Sequence, residues 1–295
     1  MYNDVDNVKS EENNMNHVLY NPLSNNKRGA LKLGEVIKYA PDEEFEFNDI
    51  TEVDLKKFIS ELKEDDKLIL AGGDGTLSVF VNELDGFVPD IPIIYYPSGS
   101  GNDFMKDVAE RAENGFVYLN DYIRDLPKMT VKGKTYRFIN GVGLGIDGYC
   151  CETANRKKDM GKRCSYISIA LRGFLFEFKP MKATVTVDGV TNVYEDAWLV
   201  AAMKGKYFGG GCKVAPAQDR SDPDKKVTVV LISCKNRVKC LTAFSSVFSG
   251  NHVKYTDIVK IVEGKDVKVE FDSPSILQYD GETVTGVQEY SVTVE

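Results

Sequence analysis

Two segments with the order strand, glycine turn and helix start most constrain the fold of this chain. In the first, the apolar residues 68–70 lead through the glycine-rich 72–76 into a stretch with the apolar period of an amphipathic helix. In the second, the apolar 91–96 leads through 97–104, where a helix is expected from Asn102. Strands that alternate with helices predict a parallel sheet covered on both faces.

The rest of the first half continues this alternation. A short apolar strand is expected at 17–20, a helix at 31–40 and an extended segment at 44–50. A second amphipathic helix is expected to begin near Leu55, with Thr51 as its cap. The first half is therefore expected to be an α/β domain with a parallel sheet.

The second half changes to a pattern of hairpins. Lys132-Gly133 and Asp188-Gly189 are turn signals between apolar or alternating runs. Helical stretches are expected near 165–178 and 238–248. The segments expected to be extended are 136–142, 183–187, 197–203, 227–232, 267–271 and 290–294. This pattern predicts a mainly antiparallel β domain with helical insertions.

Length and termini agree with two domains. The chain has 295 residues, and domains commonly contain roughly 100–200. We expect one domain at 16–130 and the other at 131–295. Residues 1–15 are polar and acidic without the apolar segment of a signal peptide, so we expect a disordered leader. No apolar run approaches the ~20 residues that span a bilayer.

Charge and cysteine usage exclude several classes of protein. The 45 acidic and 37 basic residues give a net charge of -8, which argues against nucleic acid as the main partner because phosphate backbones attract basic surfaces. The six cysteines form no C-x-x-C pair and have no histidine at zinc-ligand spacing. They are expected to be reduced thiols of a cytoplasmic protein.

Both glycine turns suit a phosphate ligand. In a parallel sheet they emerge at the carboxyl edge, where ligands bind, and a helix start offers free N–H groups. Asp74 lies in the first turn; a carboxylate at a phosphate site needs a metal ion beside it or a proton to accept. The alternative is that Asp74, like Asn102 or Asp103, only caps its own helix. The loop with Asn21, expected on the same edge, is a weaker third element.

Other nucleotide-binding and catalytic motifs are absent. The chain has no G-x-x-x-x-G-K-[ST] sequence, and the glycines at 141–145 lack the G-x-G-x-x-G spacing of dinucleotide-binding proteins. It has no H-R-D or D-F-G motif of protein kinases. Histidine occurs only at His17 and His252, so a Ser-His-Asp or histidine–metal site is not expected.

Taken together, these residues resemble the diacylglycerol kinase catalytic-domain family, which includes bacterial diacylglycerol kinases and sphingosine kinases. The resemblance runs from about Asn16 to the C-terminus and rests on the segments 72–76, 97–104, 140–147, 209–216 and 280–282. It implies a nucleotide-binding α/β domain like that of NAD kinases, a lipid-binding β-sandwich domain and an active site between them. It also implies ATP with Mg²⁺ as donor and a lipid hydroxyl, such as that of diacylglycerol, as acceptor.

The resemblance assigns roles to individual residues. Asp74 would be a catalytic or magnesium-organising carboxylate, and Glu282 would be the second acid–base group; the alternative for Glu282 is a polar hairpin turn. Asp147 and Asp103 would lie towards the acceptor. The residues that would bind the nucleotide are Asn21, Ser24, Arg28, Gly72, Gly73, Gly75, Thr76, Ser98, Gly99, Gly101 and Asn102.

Two segments depart from the family pattern. Ser24 is followed by Asn25-Asn26, where the family usually has Ser-Gly. In a turn that holds a structural metal ion in some relatives, Asp222 is followed by Pro223 instead of glycine. Asp222 would be a metal ligand there, or else a solvated turn residue.

A lipid substrate implies peripheral contact between a cytoplasmic protein and the membrane. The residues expected to contribute an interfacial face are Tyr166, Ile169, Ala170, Gly173, Phe174, Arg163, Arg172 and Lys179. The alternative for the apolar members is packing in the core. The oligomeric state is open, and a homodimer is one expectation.

Two other functions remain open at this point. One is a soluble-substrate kinase of the NAD kinase type, which shares the Gly-Gly-Asp-Gly-Thr turn. The other is a non-catalytic nucleotide-binding regulator. The loop at 99–103 and the acidic residues 280–282 favour the lipid kinase.

Overall fold

The computed structural model describes residues 15–22, 24, 33–162 and 165–295. The first half forms a five-stranded sheet in the order β2-β1-β3-β4-β5. Its strands are β1 Met15–Tyr20, β2 Glu44–Asp49, β3 Lys67–Gly72, β4 Ile93–Pro97 and β5 Val117–Tyr118. The first four strands pair in parallel, and β5 is antiparallel at the edge. Leu68, Ile69 and Leu70 have no exposed surface, as expected for a sheet covered on both faces.

Short helices connect these strands. They are α1 Leu33–Val36, α2 Leu55–Ser60, α3 Asp74–Leu84, α4 Asp103–Val108 and α5 Asn120–Ile123. The helix expected at 31–40 is seen from Leu33, the first described residue of this segment, and continues as the 3-10 turn Ile37–Tyr39. The expected cap of α2 is wrong, because the Asp54 carboxylate accepts the hydrogen bond from the Lys57 N–H while Thr51 bonds to Asp49.

The second half forms a nine-stranded sheet. Its strands are β6 Lys128–Val131, β7 Lys134–Arg137, β8 Gly141–Gly145, β9 Met181–Val187, β10 Val190–Met203, β11 Val227–Ser233, β12 Val259–Gly264, β13 Asp266–Tyr279 and β14 Glu282–Thr293. All of the pairs in this sheet are antiparallel. Because β9 pairs with both β10 and β13, and β8 also joins these two, four strands form a closed circuit. The sequence prediction of an α/β half followed by an antiparallel half is confirmed.

Three helices cover one face of the second sheet: α6 Ile146–Asp159, α7 Tyr166–Arg172 and α8 Arg237–Ser245. A π-helical turn, Gly173–Glu177, follows α7. Ile169, Ala170 and Phe174 are buried in the core beneath these helices. Their expected place on an interfacial face is therefore wrong, and core packing is confirmed for them.

Candidate active site

The two glycine turns lie in contact. The Ser98 N–H donates to the Gly72 carbonyl at 2.8 Å. A Cβ atom added to Gly99 would lie 2.4 Å from the Cα atom of Gly73, a distance that real Cβ atoms do not show. Only glycine at both positions lets the two backbones approach this closely. The sequence prediction that the two turns meet at one edge of the sheet agrees with this geometry.

Asp74 does not cap its own helix. The N-cap of α3 is Gly73, and Asp74 is the first residue of the helix. Its Oδ1 atom accepts from the Phe104 N–H of α4 at 3.1 Å and lies 3.5 Å from the Asn140 Nδ2 atom. The carboxylate thus lies at the positive end of a neighbouring helix, which stabilises its charge. The simple capping alternative for Asp74 is wrong.

Side chains around the turns fix their shape. Asn102 has a left-handed backbone (φ 52°) and donates from Nδ2 to the Gly99 carbonyl at 3.1 Å, instead of capping α4. The Asn21 amide donates to the Thr76 hydroxyl at 3.0 Å, and the hydroxyls of Ser24 and Ser98 lie 3.4 Å apart. The predicted residues Asn21 and Ser24 therefore lie beside the turns. Arg28 lies outside the described residues, as does most of the predicted leader.

A glycine loop from the second half closes one side of the site. Gly209, Gly210 and Gly211 all have positive φ, and the Cα atom of Gly210 would lie 3.6 Å from a Cβ atom on Gly101. The Gly210 N–H donates to Asp103 Oδ2 at 2.7 Å. Burial and the nearby Asp74 charge raise the pKa of Asp103 to about 6. Asp103 thus joins the two halves, and its predicted contact with the acceptor stays a prediction.

Asp280 is a site residue that sequence reasoning missed. Its buried carboxylate accepts three backbone N–H groups, from Ile139 at 2.6 Å, Asn140 at 2.8 Å and Gly141 at 3.1 Å. Burial raises its pKa to about 6 despite these bonds, and the charge of Asp74 adds to the rise. The signal was present in the acidic residues 280–282, but only Glu282 was singled out.

Glu282 lies on the other side of this turn. It is exposed at the start of β14 and pairs in the sheet with Tyr279. Burial raises the pKa of the Cys151 thiol, and the charges of Asp147 and Glu282 add to the rise. The thiol donates to the Gly281 carbonyl at 3.0 Å. The turn at 280–281, given above as the alternative for Glu282, is present; the acid–base role of Glu282 stays a prediction.

Asp147 lies at an apolar pocket in the second half. Its Oδ2 atom accepts from Gln278 Nε2 at 3.2 Å, while Oδ1 is buried without a hydrogen-bond partner. Burial raises the pKa of Asp147 to about 7. A Cβ atom on Gly143 would lie 1.9 Å from Oδ2, so glycine is required there to leave room for the carboxylate.

The pocket is formed mainly by α6, α7, α8 and the sheet beneath them. It is partly open to solvent, and its lining is mostly apolar. Residues that line it include Asp147, Cys151, Tyr166, Ile167, Phe208, Phe244, Phe248 and Gly281. An apolar cavity with few polar groups is the usual form of a site for a small hydrophobic ligand. No motif in the sequence indicated this pocket, because its lining comes from distant segments.

Among the carboxylates described above, Asp74 is the one placed to bind a magnesium ion together with phosphates. Among the described residues, no three His, Cys, Asp or Glu side chains converge to hold a metal ion. Magnesium, however, is usually held by one or two carboxylates together with substrate phosphates. Asp74 would fit this mode, because both of its bonds above involve Oδ1 and leave Oδ2 without either of these partners.

The turn around Asp222 has its own internal bonding. Asp222 Oδ1 accepts from the Asp224 N–H at 3.0 Å, which stabilises the turn. Two buried cations lie near this turn: Arg220, whose side chain pairs with Asp107, and Lys204. The prediction that Asp222 binds a metal ion stays a prediction.

Comparison with known proteins identifies the family. The model of the diacylglycerol kinase catalytic domain matches residues 16–122. The model of the YegS C-terminal NAD kinase beta sandwich-like domain matches residues 140–294, more than half of the chain. The chain belongs to the diacylglycerol kinase catalytic-domain family. The family expected from the sequence is thus confirmed.

Individual proteins of known name are similar to this chain, at low sequence identity. A protein of Mycobacterium tuberculosis named diacylglycerol kinase is 28% identical over 216 residues, which cover 70% of this chain and 68% of that protein. A crystal structure of a diacylglycerol kinase from Bacillus anthracis superposes with a TM-score of 0.60 at 16% identity, covering 97% of this chain and 95% of the other. The second similarity shows the fold. The five described cysteines are free, and no described helix is long and apolar enough to cross a membrane.

Proposed function

We propose that this kinase-family protein transfers the γ-phosphate of ATP to the hydroxyl of a lipid such as diacylglycerol. The observation that carries the proposal is the contact between Gly73 and Gly99 with Asp74 beside them. Two touching glycine turns at the starts of helices would present backbone N–H groups to a ligand, and this arrangement suits a chain of phosphates. The predicted nucleotide-binding residues that are described cluster around this contact.

The chain's own groups would position the transferred phosphoryl group. Phosphoryl transfer depends mostly on alignment and charge neutralisation. Backbone N–H groups at the start of α3 and α4 would orient the phosphates, and Asp74 Oδ2 would hold the magnesium ion. That ion, when bound with ATP, neutralises charge on the phosphates. The loop of Gly209, Gly210 and Gly211 would exclude water from one side.

The apolar pocket would hold the acceptor lipid. Asp147 is the charged group in its lining, and the raised pKa of its carboxyl lets it exchange a proton near neutral pH. A lipid hydroxyl near Asp147 could donate its proton to this carboxylate as the phosphate bond forms. Glu282, at the rim beside Gly281, is the second candidate for this step.

An exposed apolar surface beside the pocket would contact the membrane. Ile167 is 61% exposed, Leu171 44% and Phe176 77%, and Ile167 also lines the pocket. The exposed basic residues Arg156, Lys158, Lys162, Arg172 and Lys179 belong to the same region of the chain, 156–179. Apolar side chains combined with basic groups suit an anionic membrane surface. We call Ile167, Leu171 and Phe176 the apolar tip.

A transfer assay tests this function. Labelled phosphate from ATP would be followed into a panel of lipid alcohols in mixed micelles, with NAD as a soluble acceptor in a parallel reaction. We expect label in a lipid and none in NAD, and we expect Asp74→Asn to abolish transfer while leaving the melting temperature within a few degrees of wild type. Label in NAD alone would show a soluble-substrate kinase, and ATP binding without any transfer would show a regulator.

A further inference from the structure

Arg220 is buried where the two halves of the chain meet. Its side chain is 5% exposed, and that of its partner Asp107 is 2% exposed. Arg220 lies in the segment between β10 and β11, whereas Asp107 lies in α4 of the first half. A charged pair is seldom buried this fully unless each member is well bonded.

Each nitrogen of the guanidinium group has an acceptor. Nε lies 2.5 Å from Asp107 Oδ2, Nη1 donates to the Ile139 carbonyl, and Nη2 donates to Asn140 Oδ1 at 2.7 Å. The guanidinium carbon lies 5.0 Å from the centre of the Phe104 ring. Only arginine presents donors in this fixed planar fork.

The absence of a side chain at Gly205 leaves room for the guanidinium group of Arg220. A Cβ atom on Gly205 would lie 2.0 Å from Arg220 Nη2. Gly205 itself donates its N–H to the Asn140 carbonyl at 2.9 Å. Arg220, Gly205 and Asn140 therefore form one packed unit at the junction.

The guanidinium group fixes the orientation of the Asn140 amide. An arginine has donors only, so the amide must turn its oxygen towards Arg220. Its Nδ2 donor then faces Asp74 Oδ1, at 3.5 Å. The backbone of Asn140 is held separately, because its N–H donates to Asp280. Arg220 thus acts on the side chain of Asn140, and through it on Asp74.

We propose that Arg220 is a positioning residue for phosphoryl transfer, which holds the Asn140 amide with its donor directed at Asp74. The inference rests on the proposed function, because it assumes that Asp74 serves the reacting phosphate. The positive charge and the planar fork of Arg220 have separate roles. The charge, together with that of Lys206, neutralises the buried Asp107, and the fork orients Asn140.

A cycle of variants tests the proposal. Arg220→Met and Asn140→Ala would be made singly and together, and kcat and KM for ATP measured for each. We expect each single change to lower kcat by about 10- to 100-fold, because each removes the effect of one hydrogen bond to a charged group. In the Asn140→Ala protein, Arg220→Met should change kcat less than about threefold, since Arg220 acts through Asn140. Losses that multiply would overturn the proposal.

A conservative variant separates charge from geometry. Arg220→Lys keeps the charge beside Asp107 but cannot reach three acceptors. We expect it to recover most of the melting temperature that Arg220→Met loses, with kcat still at least about tenfold below wild type. Recovery of kcat to wild type would show that charge alone matters, and would overturn the proposal.

Two further measurements complete the test. Arg111→Met is the matched control, because Arg111 donates to Ser221 in the same turn without a bond to Asn140; its kcat should stay within about twofold of wild type. Melting temperatures of the four proteins in the cycle report the Arg220–Asn140 contact without any turnover, and strictly additive changes would contradict the contact. Absence of transfer in the wild type would instead contradict the proposed function.

Discussion

Gly73 and Gly99 meet backbone to backbone, with 2.4 Å between the Cα atom of Gly73 and the place where a Cβ atom of Gly99 would lie. Gly99→Ala must therefore push the two turns apart by more than 1 Å. We expect ATP affinity to fall at least about tenfold and stability to fall by about 1–3 kcal/mol. Calorimetric titration with ATP and thermal unfolding measure the two effects. Gly34→Ala is the control, because a Cβ atom there meets nothing within 4 Å; wild-type affinity in Gly99→Ala would contradict the phosphate site.

Gly75 allows a sharper test of the ligand itself. It lies in α3, and a Cβ atom there meets no protein atom within 4 Å. Gly75→Ala should keep or raise the melting temperature, because alanine favours helices by about 1 kcal/mol over glycine. If phosphates approach this backbone as proposed, the same variant binds ATP more weakly. A variant that is both stable and unchanged in ATP affinity would remove Gly75 from the site.

Asp280 should be essential to the junction. Its carboxylate accepts three backbone N–H groups, and an asparagine would direct N–H donors at one or more of them. We expect Asp280→Asn to lose about 2 kcal/mol or more in the free energy of unfolding, measured by denaturant titration. Asp272→Asn, at an exposed position of β13, the strand that precedes Asp280, should lose less than about 0.5 kcal/mol. Equal stability of the two variants would contradict the structural role of Asp280.

The reaction should depend on the ionisation of Asp147. Because burial raises the pKa of Asp147 to about 7, the carboxyl is protonated below that pH and cannot accept a proton. We expect kcat for the lipid to rise as pH increases through about 7 and this rise to disappear in Asp147→Asn. Glu152→Gln, on the same helix, should keep it. An unchanged pH profile in Asp147→Asn would exclude Asp147 from proton transfer.

The same pKa shift has a consequence for stability. The folded pKa of Asp147 is above the ordinary value of 3.8, so the folded state holds this proton more tightly than the unfolded state. Stability contributed by the protonated carboxyl is therefore lost as pH rises from about 4 through 7. Asp147→Asn should melt above wild type at pH 8, and the difference should shrink towards pH 4.

The apolar tip should control vesicle binding. We expect Phe176→Ser to weaken sedimentation with vesicles of anionic lipid by about tenfold, because the buried area of one aromatic ring is lost from the interface. Phe87→Ser is the matched control, since Phe87 is 58% exposed in the first half of the chain. Equal losses in both variants would contradict a specific surface. Transfer to a short-chain, soluble lipid should survive Phe176→Ser.

Local sequence patterns predicted the parts of the fold that depend on local physics. The segment 68–84 was placed correctly as a strand, a glycine turn and a helix start. Predicting it requires only apolar periodicity and the backbone freedom of glycine. The order of an α/β half and an antiparallel half followed in the same way. The glycine contact could be expected because parallel strands expose their carboxyl ends at one edge.

Contacts between distant segments could not be predicted in this way. Asp280 bonds to residues about 140 positions earlier, and Arg220 to Asp107, 113 positions earlier. No local periodicity records such pairs. The sequence left two faces open for α7, a membrane face or the core, for a different reason. Apolar residues occur on all sides of this segment, and the π-helical turn Gly173–Glu177 departs from the 3.6-residue period. Phe174 therefore lies in the core while Phe176 is exposed.

The bonds of α4 to the second half show that the proposed nucleotide site depends on both halves of the chain. Asp103 depends on the Gly210 N–H, and Asp107 on Arg220, both of which come from beyond residue 200. A truncated chain ending near residue 125 would lose the Gly210 bond to Asp103 and the Arg220 partner of Asp107, so we expect the α/β half alone to hold the proposed phosphate site less well. Grafting this site onto another scaffold would require transplanting both halves together.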